Sequence, residues 1–511
     1  MGILYGESML AGMKRFFLVA LFLAGLSLLS GCSGGSRQAD TVPPNIIFLM
    51  DDQHRWDALG IVDPAVITPH LDRLAKQGVF FDQAVCQAPM CIASRNSMMM
   101  GLYPNQIGIL RNEPGVPDED LPAKTLAQVF REAGYETAGF GKTHWGLTCS
   151  TRGFETRYAS EIMEYGAIMM KDTDPEKKKL YDEETDEYGP GEEDPSGYVG
   201  RTSGIPEAAH RDGWVTEKCL EYLNRRDDDR PLFLYLSYMK PHAGHNVPEG
   251  FEGLYDLDKV AYAEQPPWDK DYSPHAKGIN RRDMYEAYWK NATEEDWKLM
   301  TMRYRANCTW MDDMFGRVLQ VLEERGMLKN ALIVYVSDHG EMLGERYYRF
   351  NKYCLYESAV RVPMILSGTA LPAEFQGKID PRPAELIDVY PTLLKAAGVE
   401  VPQTAKGHDL LSLDELRQAN FCALHERPGE ASFMWRTREF KLIICFERKA
   451  EASTYTASDI KGGELYDLAK DPAEWIDLFG DEDYRDTREK MSEELMSHIK
   501  TLQHISPVNP Q

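Results

Sequence analysis

The sequence predicts an α/β fold: a mixed, mostly parallel sheet sandwiched by helices, with a smaller C-terminal α+β domain. Two continuous apolar runs, at residues 45–50 and 331–337, are typical of buried parallel strands, and polar residues follow each run. Further strand-like segments alternate with segments of helical periodicity, which indicates a doubly wound sheet. The chain has 511 residues, 43% of them hydrophobic, and is long enough to bury such a core.

The first segment is predicted to be a lipoprotein signal peptide. Two basic residues precede an apolar run at residues 16–29, which leads into the lipobox-like sequence LSGC. We therefore expect a signal peptide at residues 1–31, lipid attachment to Cys32 and a polar tether at residues 33–43. An ordinary secretory signal is the alternative. Both predict an exported bacterial protein, in the periplasm or at the cell surface, and the lipid would anchor it to a membrane.

A main domain is expected at residues 44–398. Its further predicted strands lie at residues 137–140, 232–238 and 363–366, and its predicted helices at 121–133, 215–223 and 383–397. A long helix near residues 296–325 carries apolar residues on one face, which indicates a core-facing side. These residues are Met311, Phe315, Val318 and Leu322.

Two segments, 171–204 and 255–290, fit neither periodicity and are expected to be insertions over the sheet edge. Residues 399–511 are expected to form the smaller α+β domain. Its predicted elements include a strand at 440–446 and a terminal helix near 485–502.

Cys91 opens a segment that is expected to form a short helix. Residues 93–100 contain no helix breaker, and Gly101 can end the helix. Cys91 would then lie at the positive end of the helix dipole, where an anion is favoured. Taken alone, a cysteine near Arg95 is more often a buried thiol, so the interpretation depends on the rest of the chain.

Acidic residues follow both apolar runs: Asp51 and Asp52 after the first, and Asp338, with His339, after the second. The carboxyl ends of parallel strands share one edge of a sheet. Carboxylates gathered there need a divalent cation between them, which predicts a metal site. Each aspartate alone could equally cap the segment that follows it.

The formal net charge of −24 argues against nucleic acid or an anionic membrane surface as a partner. An anionic substrate would need a local cluster of cations. The nine cysteines are too sparse for a disulfide scaffold, and most are expected to be buried.

Ordered motifs resemble those of the type I sulfatases, members of the alkaline phosphatase-like superfamily. The segment Cys91-Ile92-Ala93-Ser94-Arg95 resembles the signature whose cysteine is oxidised to formylglycine, in its rarer alanine form. The other motifs follow in the family's order, from about residue 45 to about residue 478. They are Gly141-Lys142-Thr143-His144, Pro241-His242, and Ser337-Asp338-His339-Gly340-Glu341 with Lys352.

The resemblance implies a role for each of these positions. Cys91, as formylglycine, would form a hydrated aldehyde that attacks sulfur, with Arg95 holding the diol and His144 beside its oxygens. Lys142 and Lys352 would neutralise the sulfate.

The resemblance also implies that His242, together with Lys352, could protonate the leaving sugar oxygen. The metal would be bound by Asp51, Asp52, formylglycine 91, Asp338 and His339. Calcium is expected, with Mg²⁺ as the second choice. Many members have asparagine where this chain has His339, and nitrogen suits Ca²⁺ less than oxygen, so His339 could instead lie beside the ion or bind the sulfate.

The resemblance to the bacterial polysaccharide sulfatases implies a sulfuric ester hydrolase that acts on sulfated oligosaccharides and needs a formylglycine-generating maturation enzyme. Aromatic residues of the second insertion could stack on sugar rings. The four considered are Trp268, Tyr272, Tyr285 and Trp289. The alternative is a formylglycine-dependent phosphonate or phosphodiester hydrolase, or a choline-sulfatase-like enzyme, which the run 338–344 would also suit. A more distant alternative is an inactive glycan-binding lipoprotein.

Overall fold

The computed structural model describes residues 42–112, 117–145, 151–160, 166–188, 195–268, 282–414, 417–425 and 429–506. From Pro43 onward the chain forms one compact unit. The predicted signal peptide, Cys32 and the tether up to residue 41 lie outside the described residues.

A nine-stranded mixed sheet forms the centre of this unit. Six of its eight neighbouring strand pairs are parallel, and the other two arise because Met364–Ser367 runs antiparallel to both of its neighbours. The prediction of a mixed, mostly parallel sheet is therefore confirmed. In spatial order the strands are Lys378–Asp380, Val79–Phe81, Met364–Ser367, Ala331–Ser337, Asn45–Asp52, Leu232–Pro241, Glu136–Gly141, Thr156–Ala159 and Ile168–Met169.

Helices cover both faces of the sheet, so the first strand is buried on both sides. Ile46, Phe48 and Met50 face one apolar cluster, whereas Ile47 and Leu49 face another. The helices of the first cluster are Cys91–Met100, Leu126–Glu132 and Val389–Ala396; those of the second are Pro69–Gln77, Arg211–Arg225 and Glu294–Glu324. The predicted apolar face of the long helix lies in the second cluster, as expected.

The two segments without clear periodicity contain regular structure. The first includes most of Met170–Thr173 and all of Pro175–Tyr188, and the second ends with Arg282–Trp289. Their helices are polar or short, so no apolar stripe marked them in the sequence. Other short helices are Pro104–Ile107, Glu345–Tyr348 and Glu357–Val360, and the short strand pairs are Ala84–Val85 with Ala384–Glu385, Thr202–Ser203 with Val247–Pro248, and Met342–Leu343 with Phe350–Asn351.

A separate antiparallel sheet occupies the C-terminal part of the unit. The helix Arg485–Ile499 packs on it, with Leu495 and Ile499 in the same apolar cluster as Leu442 and Ile444. This is the predicted α+β composition. The four strands are Asn420–Leu424, Glu430–Arg436, Phe440–Glu447 and Ile460–Asp467.

Helix composition and cysteine pairing are both clear in the described part of the chain. None of its helices is long and apolar enough to cross a membrane. Its seven cysteines are buried and carry no disulfide, as expected for small apolar side chains: Cys86, Cys91, Cys219, Cys308, Cys354, Cys422 and Cys445.

Candidate active site

The carboxyl ends of two neighbouring parallel strands form the floor of the site. Asn45–Asp52 pairs with Ala331–Ser337 so that Asp51 lies opposite Ser337. The aspartates after both runs therefore meet at one edge, as predicted. Asp52, Asp338, His339 and Cys91 each offer a ligand atom, and these four atoms lie within 4.8 Å of one another. All four side chains are buried.

Cys91 is the first residue of the helix Cys91–Met100, which ends at Gly101 with a φ of +64°. The predicted helix, its left-handed glycine and the position of the cysteine are all observed. The Cys91 Sγ atom lies 3.1 Å from His339 Nε2 and 3.8 Å from Asp52 Oδ1. The thiol thus lies at the helix start and inside the acidic cluster.

Arg95, one turn after Cys91, is fully buried and links the parts of the cluster. Its Nε donates to Asp338 Oδ2 at 2.7 Å, and its Nη2 lies 3.3 Å from Asp52 Oδ2. Its Nη1 donates to the Lys142 carbonyl oxygen at 2.7 Å and to Ser237 Oγ at 2.9 Å. The guanidinium therefore holds two carboxylates in place, a role that the sequence did not predict.

Asp51 stands at the side of this cluster. Its Oδ2 accepts hydrogen bonds from His54 Nδ1 at 2.6 Å and from the Tyr335 hydroxyl at 2.9 Å. Its Oδ1 is buried without a hydrogen-bond partner in the described structure. Burying a carboxylate oxygen in this way is costly, and a bound cation would relieve the cost. The residues therefore fit a cation site that includes Asp51.

His339 presents Nε2 to the cluster. Its Nδ1 lies 2.9 Å from the Gly340 carbonyl oxygen and must donate to it, so the lone pair of the neutral ring is on Nε2. Nε2 lies 3.7 Å from Asp338 Oδ1 and 3.8 Å from Asp52 Oδ1. This tautomer suits a metal ligand, because a ligating histidine usually donates its other ring N–H to a carbonyl or carboxylate.

The pKa values of neighbouring groups in the site are shifted in opposite directions. Burial raises the pKa of Asp338, whereas Lys142, His242 and Arg95 outweigh burial and lower that of Asp52 well below its usual range. Burial and Asp52 oppose ionisation of the Cys91 thiol, but Lys352, Lys142 and His339 together bring its pKa well below the usual range. The site is thus a dense cluster of positively and negatively charged side chains.

The two predicted sulfate-binding lysines contact different residues at this centre. Lys142 Nζ is 2.6 Å from Asp52 Oδ2. Lys352 Nζ lies 2.7 Å from Gln53 Oε1 and 2.9 Å from His242 Nε2. Both lysines are almost fully buried, whereas His144 and His242 are partly exposed. The site therefore reaches solvent at His242, which contacts Lys352.

Sequence reasoning missed several residues of the site. Gln53 and Ser237 are fully buried and bridge the predicted groups; Glu341, which the motif at residues 337–341 contains without an assigned role, is also fully buried and contacts Gln53. Gln53 directly follows Asp52, so its position after the first strand was the available signal. Tyr285 and Trp289 do not fit the stacking hypothesis: they are 2% and 1% exposed and pack with Phe350.

Of the other two candidates for sugar stacking, the structure describes only one. Trp268 is partly exposed and donates to the Trp475 carbonyl oxygen at 3.1 Å. Tyr272 lies outside the described residues.

Comparison with solved structures shows the fold. A phosphonate monoester hydrolase from Silicibacter pomeroyi has a TM-score of 0.70 and 22% identity, covering 91% of this chain and 96% of that chain. A structure in complex with its substrate D-glucosamine-2-N,6-O-disulfate has a TM-score of 0.68 and 22% identity, covering 90% and 98%. The predicted alkaline phosphatase-like fold is confirmed.

Comparison with known sequences shows the family. An arylsulfatase from Clostridium perfringens is 28% identical, covering 89% of this chain and 94% of the relative. An N-acetylglucosamine-6-O-sulfatase from Bacteroides thetaiotaomicron is 26% identical, covering 94% and 89%. The family profile described as N-sulphoglucosamine sulphohydrolase, C-terminal, matches residues 344–501, and the profile described as Sulfatase matches residues 44–399. The chain therefore belongs to the sulfatase family and is a sulfuric ester hydrolase.

Proposed function

We propose that the protein removes sulfate from sulfated oligosaccharides derived from polysaccharides, with formylglycine at position 91 and a divalent cation. The observation that carries this proposal is the contact of Cys91 with the buried cluster of Asp52, Asp338 and His339. Formylglycine supplies a hydrated aldehyde whose oxygen can act as the nucleophile. Relatives that act on sulfated sugars support the substrate class.

The residues of this chain would divide the work around a sulfate ester. Lys142 contacts Asp52 and Lys352 contacts His242, and the positive charges of the two lysines would bind the sulfate oxygens. His242 contacts Lys352 and reaches solvent, so it is proposed to hold the proton for the leaving sugar oxygen. Arg95 would keep the carboxylates in position.

Asp51, Asp52, Asp338 and His339 would hold the cation, together with residue 91. When bound, the cation supplies charge neutralisation for the carboxylates and for the sulfate. We propose Ca²⁺, because three carboxylates supply hard oxygen ligands. Elemental analysis of protein dialysed against mixed Ca²⁺ and Mg²⁺ tests this choice.

Kinetics of the matured protein on matched substrates test the reaction and the substrate class. We expect the highest kcat/KM on sulfated glucosamine-type and related sugar sulfates, and lower values on a phenyl phosphonate and a phosphodiester. The Cys91→Ala variant, carried through the same purification, gives the background rate. Faster turnover of the phosphonate or phosphodiester would replace the proposed function with the alternative hydrolase.

Export and maturation complete the proposal. The lipobox-like sequence before Cys32 supports an exported lipoprotein anchored to a membrane in the periplasm or at the cell surface, and Cys91 requires a formylglycine-generating enzyme. Fractionation of the native host, compared with a Cys32→Ser variant, tests the anchor. Release of the wild-type protein with the soluble fraction would contradict it.

A further inference from the structure

Gln53 lies between the aspartate cluster and Lys352 and has an unusual backbone conformation. It follows Asp52, is fully buried and has a φ of +68°, a backbone conformation that residues other than glycine rarely adopt. Its backbone N–H donates to Asp338 Oδ1 at 3.1 Å, and its carbonyl oxygen accepts the Tyr304 hydroxyl at 2.8 Å. Strained residues that the surroundings hold this firmly are concentrated at functional sites.

The side chain of Gln53 has one orientation that satisfies its neighbours. Its Nε2 donates to Glu341 Oε2, while Glu341 Oε1 accepts the Asn351 N–H at 2.6 Å. Because a carboxylate accepts hydrogen bonds, the amide nitrogen must face Glu341. The amide oxygen then faces Lys352, whose Nζ lies 2.7 Å away.

Glu341 and Gln53 thereby hold Lys352 at both ends. Asn351, fixed by Glu341, accepts the Lys352 backbone N–H on its Oδ1 at 2.9 Å. Gln53 receives the ammonium at the other end, where Lys352 Nζ also lies 2.9 Å from His242 Nε2. Lysine has a flexible stem, so its ammonium needs such an acceptor to stay in one place.

We propose that Gln53 is a positioning residue that keeps the Lys352 ammonium against His242 on the side of the leaving group. The proposal rests on the proposed function, in which Lys352 binds the sulfate and His242 holds the proton for the departing oxygen. In this proposal Gln53 acts through Lys352 rather than on the sulfate itself. Its contribution is to make a lysine and a histidine from distant parts of the chain act as one unit.

A swap of two side chains tests the proposal. Gln53→Glu places two carboxylates side by side, whereas Gln53→Glu combined with Glu341→Gln restores a donor opposite an acceptor and leaves Lys352 with a carboxylate acceptor. We expect the single variant to lose about 100-fold in kcat/KM on a sugar sulfate, the scale that misplacement by 1 Å can cause. The double variant should recover most of this loss. No recovery in a folded, metal-loaded double variant would overturn the proposal.

A double-mutant cycle separates positioning from a general structural effect. Gln53→Met should lower kcat/KM on the sugar sulfate more than on 4-nitrophenyl sulfate, yet should change neither value further in a Lys352→Ala background. The matched control is Gln87→Met, which removes another fully buried amide with two hydrogen bonds and should leave the substrate ratio unchanged. Independent losses from Gln53→Met and Lys352→Ala would refute the linkage.

Metal content and Tm distinguish a failure of this proposal from a failure of the proposed function. Metal content should stay stoichiometric in Gln53→Met, and its loss would make Gln53 a metal-site residue instead. If the wild type releases no sulfate from sugars, the proposed function fails; the cycle is then decided on 4-nitrophenyl sulfate and on Tm. A Tm coupling between Gln53 and Lys352 supports the contact, and its absence contradicts it.

Discussion

At the residue scale, the site contains charged side chains whose burial is tolerated only because they compensate one another. Asp51, Asp52 and Asp338 bring three carboxylates to one strand edge, and Arg95 and Lys142 offset two of them directly. Asp51 Oδ1 keeps no partner in the described structure. Removing any one member leaves its neighbours buried and uncompensated, so single substitutions should have large effects.

Residue 91 should carry formylglycine in protein purified from the native host. Cys91 opens a helix and lies in the buried cluster of Asp52, Asp338 and His339, the position that the nucleophile requires. Mass spectrometry of the tryptic peptide that contains residue 91 measures the conversion, and Cys91→Ala should abolish turnover. The prediction fails if the peptide carries unmodified cysteine alone.

Asp338→Ala should lose both metal and activity. The substitution removes a carboxylate ligand and leaves Arg95 Nε without its 2.7 Å acceptor, so Asp52, which Arg95 also contacts, loses its fixed geometry. Elemental analysis and kcat/KM, measured on the same preparation, provide the check. Asp63→Ala, which removes a partly exposed carboxylate paired with Arg305, should keep the metal. Full metal occupancy in Asp338→Ala would contradict the proposed ligand set.

His242→Ala should impair hydrolysis of a sugar sulfate far more than that of 4-nitrophenyl sulfate. A sugar oxygen needs a proton as it departs, whereas nitrophenolate is already a good leaving group. General acid catalysis typically contributes about 100- to 10,000-fold, so the ratio of the two kcat/KM values should fall by about 100-fold or more. Equal losses on both substrates would instead assign His242 to sulfate binding or to structure.

At the element scale, strands and buried helices could be predicted because their patterns are set by the core. The first strand is apolar on both faces, and Met311, Phe315, Val318 and Leu322 mark a helix face; both features were readable and are observed. Helices in the insertions could not be predicted, since Pro175–Tyr188 has little apolar contrast between its faces.

The site residues likewise fall into those that the sequence pattern could predict and those that it could not. Asp52, Asp338, His339 and Cys91 stand at ends of regular elements, where the topology brings them together. Gln53 bridges Glu341 and Lys352, which lie 288 and 299 positions along the chain, and no local pattern predicts such a contact. Tyr285 and Trp289 show the converse error, because aromatic composition does not distinguish a sugar-binding surface from a core.

A buried ion cluster joins the C-terminal sheet to the short helix Glu357–Val360. Glu357 accepts two hydrogen bonds from Arg436, at 2.7 and 2.8 Å, and lies 2.8 Å from Lys441 Nζ. Lys441 Nζ also lies 2.7 Å from Glu474 Oε1. Burial opposes ionisation of Glu357, but Arg436 and Lys441 outweigh it and lower the pKa of Glu357 well below its usual range.

Arg436→Met should therefore destabilise the protein by about 3 kcal/mol, since breaking a buried pair leaves a poorly compensated charge. Glu357 has a depressed pKa in the folded state, so its stabilisation is fully present above its ordinary value of 4.5 and fades as the pH falls toward the folded value. The Tm gap between wild type and variant should narrow on acidification. The control, Arg485→Met, removes a half-exposed pair and should shift Tm little. Equal Tm changes in the two variants would contradict this prediction.

At the scale of the whole molecule, the net charge should govern which form of substrate is attacked. A chain with a formal charge of −24 repels a long sulfated polymer, because each further sulfate outside the cationic site meets the same negative field. A short fragment places few such groups near the protein. We therefore expect attack at or near a chain end, and higher kcat/KM on sulfated di- and tetrasaccharides than on intact polymer.

Ionic strength tests this origin of the preference. The Debye length is about 10 Å at 0.1 M salt and about 3 Å at 1 M, so salt screens the repulsion of distant sulfates far more than contacts within the buried site. The ratio of kcat/KM on tetrasaccharide to that on polymer should fall as salt rises, while the value on a monosulfated disaccharide changes little. A ratio independent of salt would mean that shape, rather than charge, excludes the polymer. Faster sulfate release from intact polymer than from its fragments would refute attack at chain ends.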